Sequence, residues 1–183
     1  EICVEGIETF EEILNSLKDK TILVLDKCWD CWDKVYALLK EKDMVDQTIF
    51  KFYLKDEEPM VWAKAHKDCI FIPMCGDPDM FPKLLELREH AGLPAVEILP
   101  HAEDEPIFSD ETFRWLEEHH IKVWCNSLSL ARRLVYGAGY DDLKSLRYGG
   151  DKGWGVLIDK GVQILQTDWP HEVACYLKEK KMR

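Results

Sequence analysis

Residues 47–74, QTIFKFYLKDEEPMVWAKAHKDCIFIPM, hold the pattern on which the fold class turns. Gln47–Leu54 (QTIFKFYL) is an apolar, aromatic run of strand length, the stretch around Pro59–His66 reads as a helix, and Asp68–Met74 (DCIFIPM) is a second strand-like run. Two such strands separated by a helix form the crossover that parallel neighbours need, since a short hairpin can join only antiparallel ones.

The alternation continues in both directions. Upstream, Thr21–Asp26 (TILVLD) is a nearly continuous apolar run ending in a charge, the pattern of a strand covered on both faces. Before it, Phe10, Ile13, Leu14 and Leu17 recur at helical spacing behind Thr9, an N-cap with Glu12 three positions on. After it a helix is expected from about Trp29 to Lys40. Downstream, Phe81–His90 is a helix, ended by Gly92 where a positive φ is commonly required. Leu93–Leu99 (LPAVEIL) is the fourth strand. Ser109 caps a helix over Asp110–His119, Ile121–Asn126 (IKVWCN) is the fifth strand and Val162–Thr167 (VQILQT) the sixth. Pro170 opens a terminal helix over Glu172–Lys180, where a missing N–H costs little. Six strands alternating with helices specify an α/β fold with a parallel sheet. Ser127 to about Gly150 is irregular and glycine-rich, a long loop with some helix in a position often used for function.

Composition sets the limits. The chain of 183 residues is 46% hydrophobic and 32% charged, which suits one folded domain spanning 1–183. Thirty-five acidic against 24 basic residues give a formal charge of −11, which repels nucleic acid and anionic membrane surfaces. No nucleic-acid partner is expected, and most carboxylates read as solvated surface. The seven cysteines (Cys3, Cys28, Cys31, Cys69, Cys75, Cys125 and Cys175) are odd in number and scattered, unlike a disulfide scaffold. No apolar run reaches the roughly 18 residues of a membrane span, and there is no signal-peptide pattern. A cytoplasmic location is expected, with a secreted or periplasmic one as the alternative that a removed leader would create.

Chemistry in parallel sheets gathers at the carboxyl ends of the strands. Asp26 and Lys27 close the first strand, Lys51 interrupts the second, and Glu97 sits inside AVEIL. Trp124 and Asn126 end the fifth strand, Thr167 and Asp168 the sixth. A charge in a buried strand is costly unless paired, hydrogen-bonded or bound to a metal. Either Lys51 and Glu97 pair with each other or their neighbours, or carboxylates such as Asp26 and Glu97 hold a hard cation while the lysines neutralise phosphate. Both readings predict convergence at one end of the sheet.

GVQILQTDWPHEVACYL (Gly161–Leu177) resembles the end of the glycerophosphodiester phosphodiesterase family, whose last strand closes with I-x-T-D-x-P before a helix. VWCNSL (Val123–Leu128) resembles the family's V-x-V-N-[ST]-L strand, and GYDDLKS and GWGVLIDKG resemble its paired-aspartate loop and W-G-x-L-I helix. At the front, ETFEEIL and TILVLDK resemble a P-T-[FL]-E-E-x-L helix and a strand ending Glu-x-Lys, with the departure that Asp26 stands directly beside Lys27. Strand alternation allows only one of that pair to face inward, and Asp26 is preferred as the ligand.

The resemblance implies a (β/α)8 TIM-barrel type of fold, incomplete here with about six of eight parallel strands, the C-terminal three quarters of such a domain. A full barrel takes about 250 residues. It further implies metal-dependent hydrolysis of a small-molecule glycerophosphodiester to glycerol 3-phosphate and an alcohol in the intact protein. Asp26 and Glu97 would hold a divalent metal (Mg or Ca), Lys27 and Lys51 would contact phosphate, Trp124 would pack on the alcohol, and Asn126 would orient substrate. Thr167 and Asp168 would fix the last strand. The family's His-Arg-Gly, Glu-Asn-Thr, Glu-x-Asp and His-Asp segments do not occur, and the six histidines (His66, His90, His101, His119, His120 and His171) read as surface residues. The chain alone is therefore expected to be inactive, with no catalytic residue of its own. Two alternatives stand beside this. One is a non-catalytic binding or oligomerisation module, with a homo-oligomer or a complementing N-terminal segment covering the open strand edges. The other is a thiol redox protein using Cys28-x-x-Cys31 between a strand and a helix.

Overall fold

The computed structural model describes residues 6–130 and 135–181; Cys3 lies outside them, as does part of the glycine-rich loop. The strands are β1 (Leu23–Leu25), β2 (Thr48–Phe50), β3 (Ile70–Phe71), β4 (Met74–Cys75), β5 (Ala95–Ile98), β6 (Lys122–Asn126) and β7 (Ile164–Gln166). The helices are α1 (Phe10–Leu17), α2 (Trp32–Lys42), α3 (Glu57–Ala65), α4 (Pro82–Arg88), α5 (Asp110–Glu118), α6 (Asp142–Tyr148), α7 (Trp154–Lys160) and α8 (Pro170–Glu179). All strand pairs are parallel, in two sheets ordered β1-β2-β3 and β4-β5-β6-β7.

The single strand expected over DCIFIPM is thus two, because Pro73 has no N–H to give the ladder. Pairing carries across the break on both sides: Ile72 N donates to Phe50 O, Met74 N to Phe52 O, and Glu97 N to Pro73 O. The six strands read from sequence therefore follow one another in space as in the chain. This is an α/β arrangement consistent with part of a TIM-type fold. Among the described residues β1 and β7 are the outer strands and do not pair.

Two faces result from strand alternation. The outer face packs on the helices, where Trp32 meets Phe50 and Phe52 edge-on at 5.6 and 5.8 Å and Leu84, Leu87, Leu116 and Leu157 are buried. Each such side chain contributes about 1.5–3 kcal/mol by leaving water. The inner face is a smaller cluster of Ile49, Ile72, Ala95, Trp124 and Ile164.

Two expectations change. TILVLD is not covered on both faces: Val24, on the inner side of an outer strand, is 41% exposed, since among the described residues no strand packs opposite it. Gly92 lies outside the left-handed region. It is needed for close approach, because a Cβ there would stand 3.3 Å from Cys69 O where Gly92 bridges to Ile70. The helix expected within the 127–150 stretch is α6. The Thr9–Glu12 capping box is formed as expected.

Candidate functional site

Lys51 follows β2 on the inner face, two residues beyond Ile49, and only 2% of it is exposed. Its Nζ lies 2.5 Å from Glu97 Oε2, 3.9 Å from Asp26 Oδ2 and 5.1 Å from the centre of the Trp124 ring. β1, β2, β5 and β6 thus bring Asp26, Lys51, Glu97 and Trp124 together at their carboxyl ends. An ammonium sits between two carboxylates on an indole face.

Glu97 is 1% exposed, and burial raises its carboxyl above the usual range; Lys51 opposes the rise and the negative charge of Asp26 adds to it. The ion pair is close but poorly aligned, for Oε2 has no hydrogen bond of good geometry among the described residues. As placed, Asp26 and Glu97 enclose the lysine and leave no open cation site between them. Among the described residues no three His, Cys, Asp or Glu side chains group closely enough to hold a metal.

Other candidate residues are placed differently. Lys27 is exposed, takes a left-handed φ of 55° and makes no ion pair among the described residues. Asn126 is buried, and its Oδ1 accepts the Leu128 N–H at 2.8 Å, fixing the turn that leaves β6. Trp124 Nε1 donates to Gln166 Oε1 at 3.3 Å.

The paired aspartates divide their work. Asp141 caps α6 by accepting from Lys144 N at 2.7 Å. Asp142, wholly buried, accepts from Ser127 Oγ and Trp154 Nε1 at 2.7 Å, Thr167 Oγ1 at 2.8 Å and Asp168 N at 3.0 Å. One carboxylate therefore ties the N-S-L turn, the W-G helix and the T-D strand end into a single knot.

The Cys28–Cys31 loop carries two free thiols, with Cys31 Sγ donating to Cys28 O at 3.3 Å. Burial pushes the Cys28 thiol up, away from the thiolate that redox exchange needs.

Beside the Lys51 cluster, and open to solvent, is a cavity of about 340 Å³ lined by Tyr53, Lys55, Cys75, Asp77, His101 and Tyr136, among others. Burial raises the Tyr53 phenol, and the carboxylates of Asp26 and Glu97 add to this. His101 is exposed, as the sequence predicts, and lines this cavity. The available signal for the cavity was its place, three residues beyond Ile98 at the end of β5.

Residues 73–177 match DUF4996, a family described as a domain of unknown function, over more than half of the chain. No curated protein matches. The crystal structure of a glycerophosphoryl diester phosphodiesterase from Parabacteroides distasonis ATCC 8503 superposes with a TM-score of 0.68 at 16% identity, covering 94% of this chain. The chain spans about half, 55%, of the length of that structure. The fold is shared at a level of identity that speaks for architecture alone. By its sequence, the chain belongs to the DUF4996 family.

Proposed function

We propose that the carboxyl edge of this sheet binds a phosphodiester, and that the protein carrying the chain hydrolyses glycerophosphodiesters to glycerol 3-phosphate and an alcohol. The supporting observation is the convergence of Asp26, Lys51, Glu97 and Trp124 at strand ends. The same fold in a protein described as a glycerophosphoryl diester phosphodiesterase adds to it. Residues 1–183 act as one domain, the C-terminal three quarters of such a barrel.

In this reading the Lys51 ammonium neutralises a phosphoryl oxygen, exchanging part of its contact with Glu97 for one with the ligand. Lys27, on the exposed turn after β1, adds a second positive charge. The Trp124 ring packs against the alcohol, and Asn126 holds the loop beside it. A Mg or Ca ion polarises the phosphoryl oxygens in such chemistry. Asp26 and Glu97 would serve as ligands only with Lys51 turned aside and with oxygen ligands besides these two.

Calorimetry of the chain with glycerophosphocholine and Mg, alongside turnover by the full-length protein, tests this. Binding is expected to weaken at least tenfold in Asp26→Asn, with turnover lost. Unchanged turnover in Asp26→Asn refutes the central assignment, and measurable turnover by the chain alone refutes its expected inactivity.

A second reading, a binding or oligomerisation module, draws on the exposure of Ile22 (65%) and Val24 (41%) at an outer strand. Light scattering separates them: a monomer in which β1 exchanges its amides freely contradicts the module.

A further inference from the structure

We infer that His101 is the proton-transfer residue of the cavity at the ends of β2, β4 and β5, an inference that rests on the phosphodiester reading. Its ring lines the cavity of about 340 Å³ with Tyr53, Lys55 and Tyr136. Three contacts hold it. The His101 backbone N donates to Glu105 Oε2 at 2.7 Å, Nδ1 stands 2.7 Å from Val135 O, and the ring packs against Tyr136 with centroids 5.5 Å apart.

The Val135 contact decides the tautomer. A carbonyl oxygen can only accept, so the proton of the neutral imidazole is on Nδ1 and the lone pair is on Nε2. Nε2 makes no hydrogen bond among the described residues. A base in that form needs a substrate proton within reach and a partner that fixes the ring, and His101 has the second already.

Two other histidines mark the contrast. His66 and His119 also place Nδ1 on a carbonyl, but on that of a tryptophan four residues back, Trp62 or Trp115. Their rings lie flat on the same tryptophans, at 3.5 and 3.8 Å between centroids. They finish helices. His101 instead bonds across 34 residues and faces a hollow.

The charged and titratable groups around that hollow are Lys55, whose Nζ lies 5.4 Å from the centre of the Tyr53 ring, with Asp77, Cys75, Tyr53, Tyr136 and Glu105. Lys55 supplies positive charge for an anion at the mouth. Nε2 takes a proton from water as the water oxygen bonds to phosphorus and the bond from phosphorus to the alcohol oxygen breaks. The proton then passes through solvent to the departing alkoxide. One water is consumed, a phosphomonoester and an alcohol leave, and the imidazole is neutral again.

Nitrogen-15 NMR of the imidazoles with glycerophosphocholine as probe tests the placement, and kinetics of the full-length protein test the role. His101 is expected as the Nδ1–H tautomer, with its Nε2 resonance shifted by the probe while His66 and His119 stay unmoved. His101→Asn keeps an amide donor near the Nδ1 position for Val135 O, and His101→Leu removes it. Both are expected to lower kcat by about 10²–10³-fold and to flatten one limb of its pH profile, with the probe's Kd within about threefold of wild type. Intact binding with unchanged kcat and pH profile in both variants overturns the role of His101 and leaves the phosphodiester reading standing. Absence of binding and turnover in the wild type removes that reading and this inference together.

Discussion

Lys51 and Glu97 are 2% and 1% exposed with 2.5 Å between their charged atoms, so removing either partner strands a charge. At an effective dielectric of about 20, charges this close attract by about 7 kcal/mol, but the desolvation of both takes back most of it. Lys51→Met leaves Glu97 buried near Asp26, and its carboxyl escapes by binding a proton. At pH 7 that costs about 1.4 kcal/mol for each of the roughly 2.7 units above the ordinary Glu value, about 3.7 kcal/mol in all. Burial already raises the folded pKa of Glu97 above the unfolded one in the wild type, and loss of Lys51 raises it further. Stability is then fullest below the unfolded value and falls as pH rises through the folded one. The loss against wild type, whose own Glu97 is already raised, is expected at no more than about 3–4 kcal/mol at pH 7, shrinking toward pH 5.

Glu97→Gln does the opposite. Lys51 is left with Asp26 at 3.9 Å, a half-exposed partner that returns about 1 kcal/mol at most. The buried ammonium left without its main partner is expected to cost about 3–4 kcal/mol. Lys51→Met with Glu97→Leu removes both charges, and is expected within about 1 kcal/mol of wild type or above it, yet unable to bind the phosphodiester. Urea unfolding followed by tryptophan fluorescence from about pH 5 to 9 measures all three. Single variants sharing one pH slope, or a double variant as damaged as the two singles summed, would refute the reasoning.

Neighbouring aspartates should differ sharply. Asp142→Ala leaves four donors without their acceptor and is expected to cost about 3–5 kcal/mol, against about 1 kcal/mol for Asp141→Ala, which loses a helix cap; equal midpoints in denaturant would contradict the knot. Thiol labelling at about pH 8 should reach exposed Cys31 and Cys175 first. Cys69, Cys75 and Cys125, pushed up by burial to about 12, 11 and 12, should label only on unfolding. Labelling of Cys28 ahead of Cys31, with insulin reduction by the chain, would restore the redox reading.

The alternation of strand and helix was legible in the sequence because it is written locally, in apolar runs, caps and turn residues such as Thr9 and Ser109. So was the demand that Lys51 and Glu97 find partners, since a charge inside a buried strand carries its cost wherever the chain goes. Pro73 could have announced the break between β3 and β4, for its missing N–H is a property of the residue. The sharing of Lys51 between Glu97 and Asp26, and the inward turn of Asp26 while Lys27 stays outside, needed the register of β1 on β2 and the order of strands. No local pattern encodes that order. His101 shows the same division. Its distance from the strand end is in the sequence, but its tautomer and its cavity come from Val135 and Tyr53, dozens of residues away along the chain. Sequence determined which elements form and which side chains cannot be left alone, through interactions within a few residues. Tertiary structure alone decided who meets whom at the sheet edge, because those contacts arise only when distant strands are stacked in parallel.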